Sequence, residues 1–163
     1  MTGLLSDKEE AFNSFLLSEA VIATGNTFTI DGHINRGFFS DDELDALREE
    51  AAASGRVFSE DMVRWETVKG LCYECVRGRK LPLLMKVSLC LAPEEISRLL
   101  SDTDTSINAD QISSVNLNIK YDGGTLTCTT AVSLNIFTME KSLEHSWDDM
   151  AARFLSAHGY DFD

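Results

Sequence analysis

The chain is poor in basic residues. Its 163 residues hold 14 lysines and arginines against 27 aspartates and glutamates, which gives a formal net charge of −13. A broad nucleic-acid interface needs clustered lysine and arginine to neutralise phosphates, so this balance argues against a nucleic-acid partner. Apolar runs long enough to cross a membrane, about 18 residues, are also missing. We therefore expect a partner that is neither nucleic acid nor membrane.

Targeting and catalytic motifs are missing as well. Charged residues occupy positions 7–10, where a secretory signal would have its apolar segment, so we expect a cytoplasmic protein. The chain contains no Gly-x-Ser-x-Gly nucleophile elbow and no glycine-rich phosphate loop. The sequence thus predicts no cofactor and no catalytic residue. Whether the protein is an enzyme stays open, and a non-enzymatic role is favoured.

The composition is that of a folded protein. Hydrophobic residues make up 44% of the chain and charged residues 25%, which is typical of a globular protein. A chain of this length buries enough surface to fold without disulfides or metals. Repeats, low-complexity tracts and long linkers are not found, so we expect a single globular domain over residues 1–163.

The clearest local pattern is a β-hairpin between Ile112 and Ile136. Apolar residues alternate with polar ones from Val115 to Tyr121, and again after Leu126. Asp122-Gly123-Gly124 lies between the two runs, and period-two alternation around an Asp-Gly turn is the strongest short-range indication of an antiparallel hairpin. The residues on the other face are mostly polar, which suits a sheet covered by helices on one side.

Capping signals mark one helix in detail. Ser40 and Glu43 have the spacing of a capping box, and Phe39 and Leu44 have that of a hydrophobic staple. Gly55 stands in the usual position to end this helix. Further helices are predicted over about 61–77, from Pro93, and after the hairpin, where Leu143, Trp147 and Phe154 recur at helical spacing. A short helix is also predicted over 1–13.

Strands complete the prediction of the fold. We expect strands at 14–24, 27–30 and 81–91, the last with Leu81, Leu83, Met85, Val87, Leu89 and Leu91 on one face. The sequence thus predicts an α+β fold, with a single mostly antiparallel sheet of about five strands and three to four helices packed mainly on one face. Its core is expected to include the following apolar residues: Ile119, Val132, Leu134, Trp147 and Phe154.

The Cys72–Cys75 pair has the Cys-x-x-Cys spacing of zinc and redox sites. Zinc would need two more ligands, and no second pair or nearby histidine supplies them. A redox pair is expected at a helix N-terminus, whereas this pair falls late in a predicted helix. It shares an apolar stripe with Trp65 and Val68, so packing in the core is the favoured interpretation and no metal is predicted.

Basic residues concentrate in one segment, residues 64–86. Six of the fourteen basic residues and only two acidic ones lie there, so the segment carries +4 and the remainder of the chain −17. Arg77, Arg79 and Lys80 are its centre and are candidates to bind a carboxylate or a phosphate. The alternative is that they cap a helix end and neutralise the acidic remainder.

His33 is the histidine with the clearest chemical interpretation. It follows the predicted turn at Asp31-Gly32, where it is either a general base on an exposed loop or an ordinary turn residue. We predict Arg77, Arg79, Lys80 and His33 as candidate binding residues. They suit an unknown protein partner or an anionic small molecule.

Three segments resemble a known family. They are 26–32 (NTFTIDG), 121–130 (YDGGTLTCTT) and 142–148 (SLEHSWD). In these segments the chain is similar to a family of small uncharacterised bacterial proteins, a domain of unknown function. The similarity covers nearly the whole chain beyond the first ten residues. It implies a bacterial cytoplasmic setting and carries over no catalytic residue.

Two hypotheses about function follow from the sequence. The favoured one is a non-enzymatic interaction module with a local basic patch at 64–86. The other is a small-anion-binding protein or enzyme that uses Arg77, Arg79, Lys80 and His33. They differ in geometry, because a binding pocket requires these side chains to converge in one concavity.

Overall fold

The computed structural model describes residues 11–34, 36–59, 61–77 and 81–160. These residues build one five-stranded sheet in which every pairing of neighbouring strands is antiparallel. The strands are β1 (Phe15–Ala23), β2 (Thr27–Asp31), β3 (Leu84–Leu91), β4 (Ile112–Asp122) and β5 (Thr125–Leu134). They lie in the order β2-β1-β3-β4-β5, so β2 and β5 form the two edges.

Four α-helices accompany the sheet in the described residues. They are α1 (Asp41–Ala53), α2 (Trp65–Val76), α3 (Pro93–Asp102) and α4 (Ser142–Ala157). Short 3₁₀ turns occupy Ala11–Ser14, Arg36–Phe38 and Ala109–Gln111. Helix α2 packs against β1, and α4 packs against β5 and α3. The predicted α+β fold is therefore confirmed. No helix in the described ranges has the length and apolar character needed to span a bilayer.

The core lies between the sheet and these helices. Trp65 and Trp147 are fully or almost fully buried, and they share one cluster with the inward-facing residues of all four long strands. The Trp147 indole Nε1 donates a hydrogen bond to the Asn116 carbonyl at 3.0 Å, which satisfies its buried polar atom. The core set predicted from the sequence belongs to this cluster, with Val132, Leu134 and Phe154 at its half-buried margin.

The hairpin that joins β4 and β5 sets the register of the sheet's outer part. Gly123 and Gly124 have φ of 56° and 95°, which is the left-handed backbone that a two-residue type I′ turn requires. Asp122 pairs with Thr125 across the turn, and the ladder continues to Ser114 and Ser133. The predicted hairpin is thus present with the predicted turn.

The opposite face of the sheet is polar. Lys86 pairs with Lys120, and the next row joins Ser88, Asn118 and Thr129 across three strands. A small apolar group of Leu16, Cys90 and Ala92 covers one end of this face. Most apolar area therefore faces the helices, as expected for an antiparallel sheet with one covered side.

Local predictions differ from the structure at a few boundaries. The capping box is present, since Ser40 Oγ accepts from the Glu43 amide and the Glu43 carboxylate accepts from the Ser40 amide. Strand β3 begins at Leu84, whereas the sequence predicted a start at 81, and Leu81 and Leu83 are 65% and 70% exposed. Alternation alone did not separate these two leucines from the strand. The helix predicted over 1–13 falls mostly on residues 1–10, which lie outside the described residues, and a 3₁₀ turn follows.

Candidate functional site

His33 lies on an exposed turn at the end of β2. Its amide and its Nδ1 both contact Asp31 Oδ1, at 2.9 and 2.6 Å. The hydrogen bond from the His33 amide is the main reason that the pKa of Asp31 is lowered. His33 also forms a β-bridge with Met62, which places it just ahead of α2. The histidine therefore contributes to a local turn.

Arg77 lies at the opposite end of α2. Its exposed guanidinium donates to Glu74 Oε1 at 3.2 Å, one turn earlier in the helix. A helix of twelve residues is about 18 Å long, so His33 and Arg77 are separated by roughly that length. The structure does not bring these two residues together. Arg79 and Lys80 lie outside the described residues, so their part in a binding site stays a prediction.

The other basic residues of segment 64–86 point to different partners. Arg64 donates to Glu94 Oε1 at 2.6 Å and to the Val57 carbonyl at 3.0 Å. Lys69 is buried within α2, and Lys86 is exposed on the polar face of the sheet. The described part of this segment therefore carries a dispersed charge.

The cysteines behave as core residues. Cys72 is fully buried, and burial, reinforced by Cys75, raises the pKa of the Cys72 thiol to about 12. Cys90 lies on the other face of the sheet, where its Sγ donates to Asn116 Oδ1 at 2.8 Å. Within the described ranges, no three side chains of the metal-binding types come together.

A long groove runs between β5 and α4. One part has a volume of about 770 Å³, and a second part of about 280 Å³ continues it along the same strand. The strand side is formed by the continuous stretch of β5 from Leu126 to Val132, in which the half-buried side chains are those of Leu126, Cys128, Thr130 and Val132. The helix side is formed by one face of α4, namely Glu144, Trp147, Asp148, Ala151, Ala152 and Leu155.

The two ends of this groove differ in chemistry. Helix α4 runs antiparallel to β5, so Glu144 and Asp148 lie beside Thr130 and Val132. At the other end the helix presents alanines and a leucine beside Leu126 and Cys128. Burial raises the pKa of the Cys128 thiol to about 11, which keeps this wall uncharged at neutral pH. The groove therefore has an acidic end and an apolar end.

A second cavity of about 400 Å³ lies between α1 and the segment that leads into α2. Its walls include Phe39, Leu47, Phe58 and Met62, and an Arg56–Glu66 ion pair lies at its border. Helix α1 has one buried residue, Leu44, so this cavity reflects its loose packing. Since none of its described lining residues belongs to β2 or β5, the two edge strands, it offers less for recognition than the groove beside β5.

The sequence prediction contained β5 but not the groove. Alternation identified the strand, yet the order of strands in the sheet cannot be read from alternation. An uncharged strand suggests the middle of a sheet, because edge strands usually carry lysine or proline. The residues missed were therefore those of the α4 face, above all Asp148.

A family model described as "Family of unknown function (DUF5721)" matches residues 4–163 of the chain. The match spans nearly the whole chain, as the resemblance in the three sequence segments implied. No curated protein and no solved structure shows significant similarity to it.

Proposed function

The chain belongs to the DUF5721 family of unknown function, and we propose that it is a non-enzymatic interaction module that binds an extended segment of a partner protein. The partner segment adds as a sixth strand to β5 and places alternate side chains in the groove along α4. The observation that carries this proposal is that the free edge of β5 opens directly onto that groove.

The hydrogen-bonding groups of β5 support the proposal. Residues that flank a two-residue hairpin turn form a hydrogen-bonded pair, and hydrogen-bonded and non-hydrogen-bonded pairs then alternate. Since Asp122 pairs with Thr125, the non-hydrogen-bonded residues are Leu126, Cys128, Thr130 and Val132. Their amide and carbonyl groups point away from β4, toward the free edge, where no other described strand pairs with them.

The side chains of the same four residues face the groove. An added strand therefore bonds to their backbone while its own alternate side chains enter the space beside α4. Main-chain bonds supply affinity in this mode of recognition, and pockets for alternate side chains supply specificity. Strand and groove thus offer both parts of a peptide-binding site in one place.

The composition of β5 also supports it. The ten residues of β5 include no charged residue and no proline, which are the usual means of protecting an edge strand. Among the described residues no strand pairs with this edge, which is about 33 Å long at the rise of an antiparallel strand. Such an edge is suited to pair with another chain.

The basic segment offers weaker support for the same class of function. Arg77 is exposed and is engaged by Glu74, and the described basic side chains do not converge. An anionic partner at Arg77, Arg79 and Lys80 remains part of the proposal as a second contact. A bacterial, cytoplasmic setting is likewise proposed, and the four free thiols support the cytoplasmic part of it, because a reducing compartment keeps thiols free.

Selection from a displayed library of random peptides tests the proposal, followed by titration of the selected peptides against variants. Cys128→Pro removes one outward amide without removing a bond to β4, whereas Cys128→Val keeps that amide and a similar volume. We expect Cys128→Pro to abolish peptide binding and Cys128→Val to retain it. Equal affinities of the two variants would contradict strand addition.

A second variant covers the case that Cys128→Pro folds poorly. Ala152 is exposed on α4 and lines the groove, so Ala152→Trp fills the groove without entering the core. Its thermal unfolding should match that of the parent protein, while the selected peptides no longer bind. Unchanged peptide binding to Ala152→Trp would overturn the groove as the site. Sedimentation of the free protein as a dimer that Cys128→Pro dissociates would show that β5 pairs with a second copy instead.

A further inference from the structure

We infer that the segment bound in this groove carries a basic side chain and an apolar side chain separated by one residue. The basic side chain lies against Asp148 and the apolar one against Ala151 and Ala152. This inference rests on the proposed function, and it defines the chemistry of the partner.

The residue spacing along an added strand matches the spacing of successive turns along α4, which supports the inference. Alternate residues of an added strand are about 6.7 Å apart, and residues four apart on a helix rise by about 6 Å. Asp148 and Ala152 are four apart on α4, and both line the groove. Neighbouring groove-facing side chains of an added strand therefore meet successive turns of the helix.

Asp148 is suited to receive the basic side chain. Its Oδ1 accepts a hydrogen bond from the Thr130 hydroxyl, which holds the carboxylate beside β5. No basic side chain of the described residues forms an ion pair with it. Glu144, one turn earlier, also lines the groove, but Lys141 Nζ contacts its Oε1 at 2.7 Å. Asp148 is thus the carboxylate at this end whose charge is left for a partner.

The acidic character of the whole chain also favours a basic partner segment. A net charge of −13 raises the local concentration of basic segments and disfavours acidic ones. It also disfavours the pairing of two copies of the chain, because the like charges repel each other. A basic segment of another protein is therefore favoured over a second copy.

The apolar end is shaped by small residues. Ala151 and Ala152 form the helix wall there, with Leu155 below them and Cys128 opposite. Small side chains on the helix leave room between it and the edge strand for an aliphatic side chain of the partner. A charged group at this point would be desolvated without a counter-charge.

Fluorescently labelled seven-residue peptides with threonine at every other position, measured by fluorescence anisotropy, test the inference. Their three groove-facing positions hold valine, lysine and leucine, with the lysine at the centre and the leucine before or after it. In each peptide the lysine is replaced by norleucine or by glutamate. The lysine peptide should bind most tightly, the norleucine peptide less tightly and the glutamate peptide least, with about a tenfold or greater loss of affinity from lysine to glutamate. The affinity of the lysine peptide should also fall as the salt concentration rises.

Asp148→Asn and Asp149→Asn form the matched pair of variants. Both carboxylates are exposed on α4, but Asp149 does not line the groove. We expect Asp148→Asn to remove most of the preference for lysine over norleucine, and Asp149→Asn to leave it unchanged. If peptides bind at β5 with no charge preference, the inference is wrong and the proposed function stands. If neither these peptides nor library peptides bind, both are wrong.

Discussion

At the scale of single residues, Glu140 gathers hydrogen bonds from three hydroxyl groups. It lies in the loop between β5 and α4, and its carboxylate accepts hydrogen bonds from the hydroxyls of Thr105, Ser106 and Ser142. These bonds, that from Ser106 foremost, lower the pKa of Glu140 to about 2. One carboxylate therefore ties the start of α4 to the loop that precedes β4.

The lowered pKa predicts how Glu140 affects stability. Its ionised form is favoured in the folded protein, so its contribution is fully present above its ordinary pKa of 4.5 and is lost as the pH falls toward 2. Urea unfolding of the parent and of Glu140→Gln, measured from pH 7 to pH 2, should show the parent more stable at neutral pH. The difference should shrink steadily below about pH 4.5. A difference that does not change with pH would rule out this role of the carboxylate.

Gly32 is a second residue for which the structure makes a prediction. A Cβ at this position would lie 1.9 Å from the Leu17 carbonyl oxygen, a backbone atom in the buried strand β1. Gly32→Ala should therefore lower the free energy of unfolding by about 3 kcal/mol, as measured by denaturant titration. Gly70→Ala is the control, because nothing lies within 4 Å of a Cβ there and alanine favours helix. A mild effect of Gly32→Ala, similar to that of the control, would contradict the close approach.

Residue roles could be predicted from the sequence where the partners are near in the chain. The Ser40–Glu43 capping box follows from a spacing of three residues and is present. Two of the three hydroxyls around Glu140 come from Thr105 and Ser106, 35 and 34 residues away, and no pattern connects them to it. The Thr130–Asp148 contact likewise depends on how α4 packs against β5. Such contacts require tertiary structure.

At the scale of elements, the register of β5 predicts a strong difference between neighbouring positions. Thr129 is a hydrogen-bonded partner of Asn118, so Thr129→Pro removes a bond within the ladder, whereas Cys128→Pro removes an outward amide. We expect Thr129→Pro to destabilise the protein by about 3 kcal/mol and Cys128→Pro by clearly less. Thermal unfolding measures both. The reverse order of stabilities would show that the edge groups are assigned to the wrong residues.

The helices and strands themselves were largely predictable, because their signals are local. The alternation of β4 and β5 and the Asp122-Gly123-Gly124 turn defined the hairpin. The start of β3 was not predictable, since Leu81 and Leu83 continue the alternation but are exposed. Strand order was not predictable either, and for that reason the sequence did not indicate that β5 is an edge strand.

At the scale of the whole molecule, stability is expected to come from the core without covalent or metal links. All four cysteines are free, and burial raises the pKa of Cys72, Cys90 and Cys128. We expect the thermal unfolding temperature to be unchanged by a reductant or a chelator. In the folded protein Cys72 should resist a thiol reagent that modifies all four thiols after unfolding. A loss of stability with the chelator would contradict this expectation.

The strand order also has a consequence for how the chain folds. β3, α3, β4, β5 and α4 follow one another in sequence, and the three strands among them are neighbours in the sheet, whereas the nearest paired residues of β1 and β3, Ala23 and Leu84, are 61 positions apart. Contacts that close long loops form late, because the loop entropy must be overcome first. The C-terminal half is thus expected to form the nucleus, and β1 with β2 to dock onto it afterwards. Until they dock, the edge opposite β5 is the eight-residue β3 in place of the five-residue β2, so the nascent protein exposes a longer pairing surface there than the finished one does.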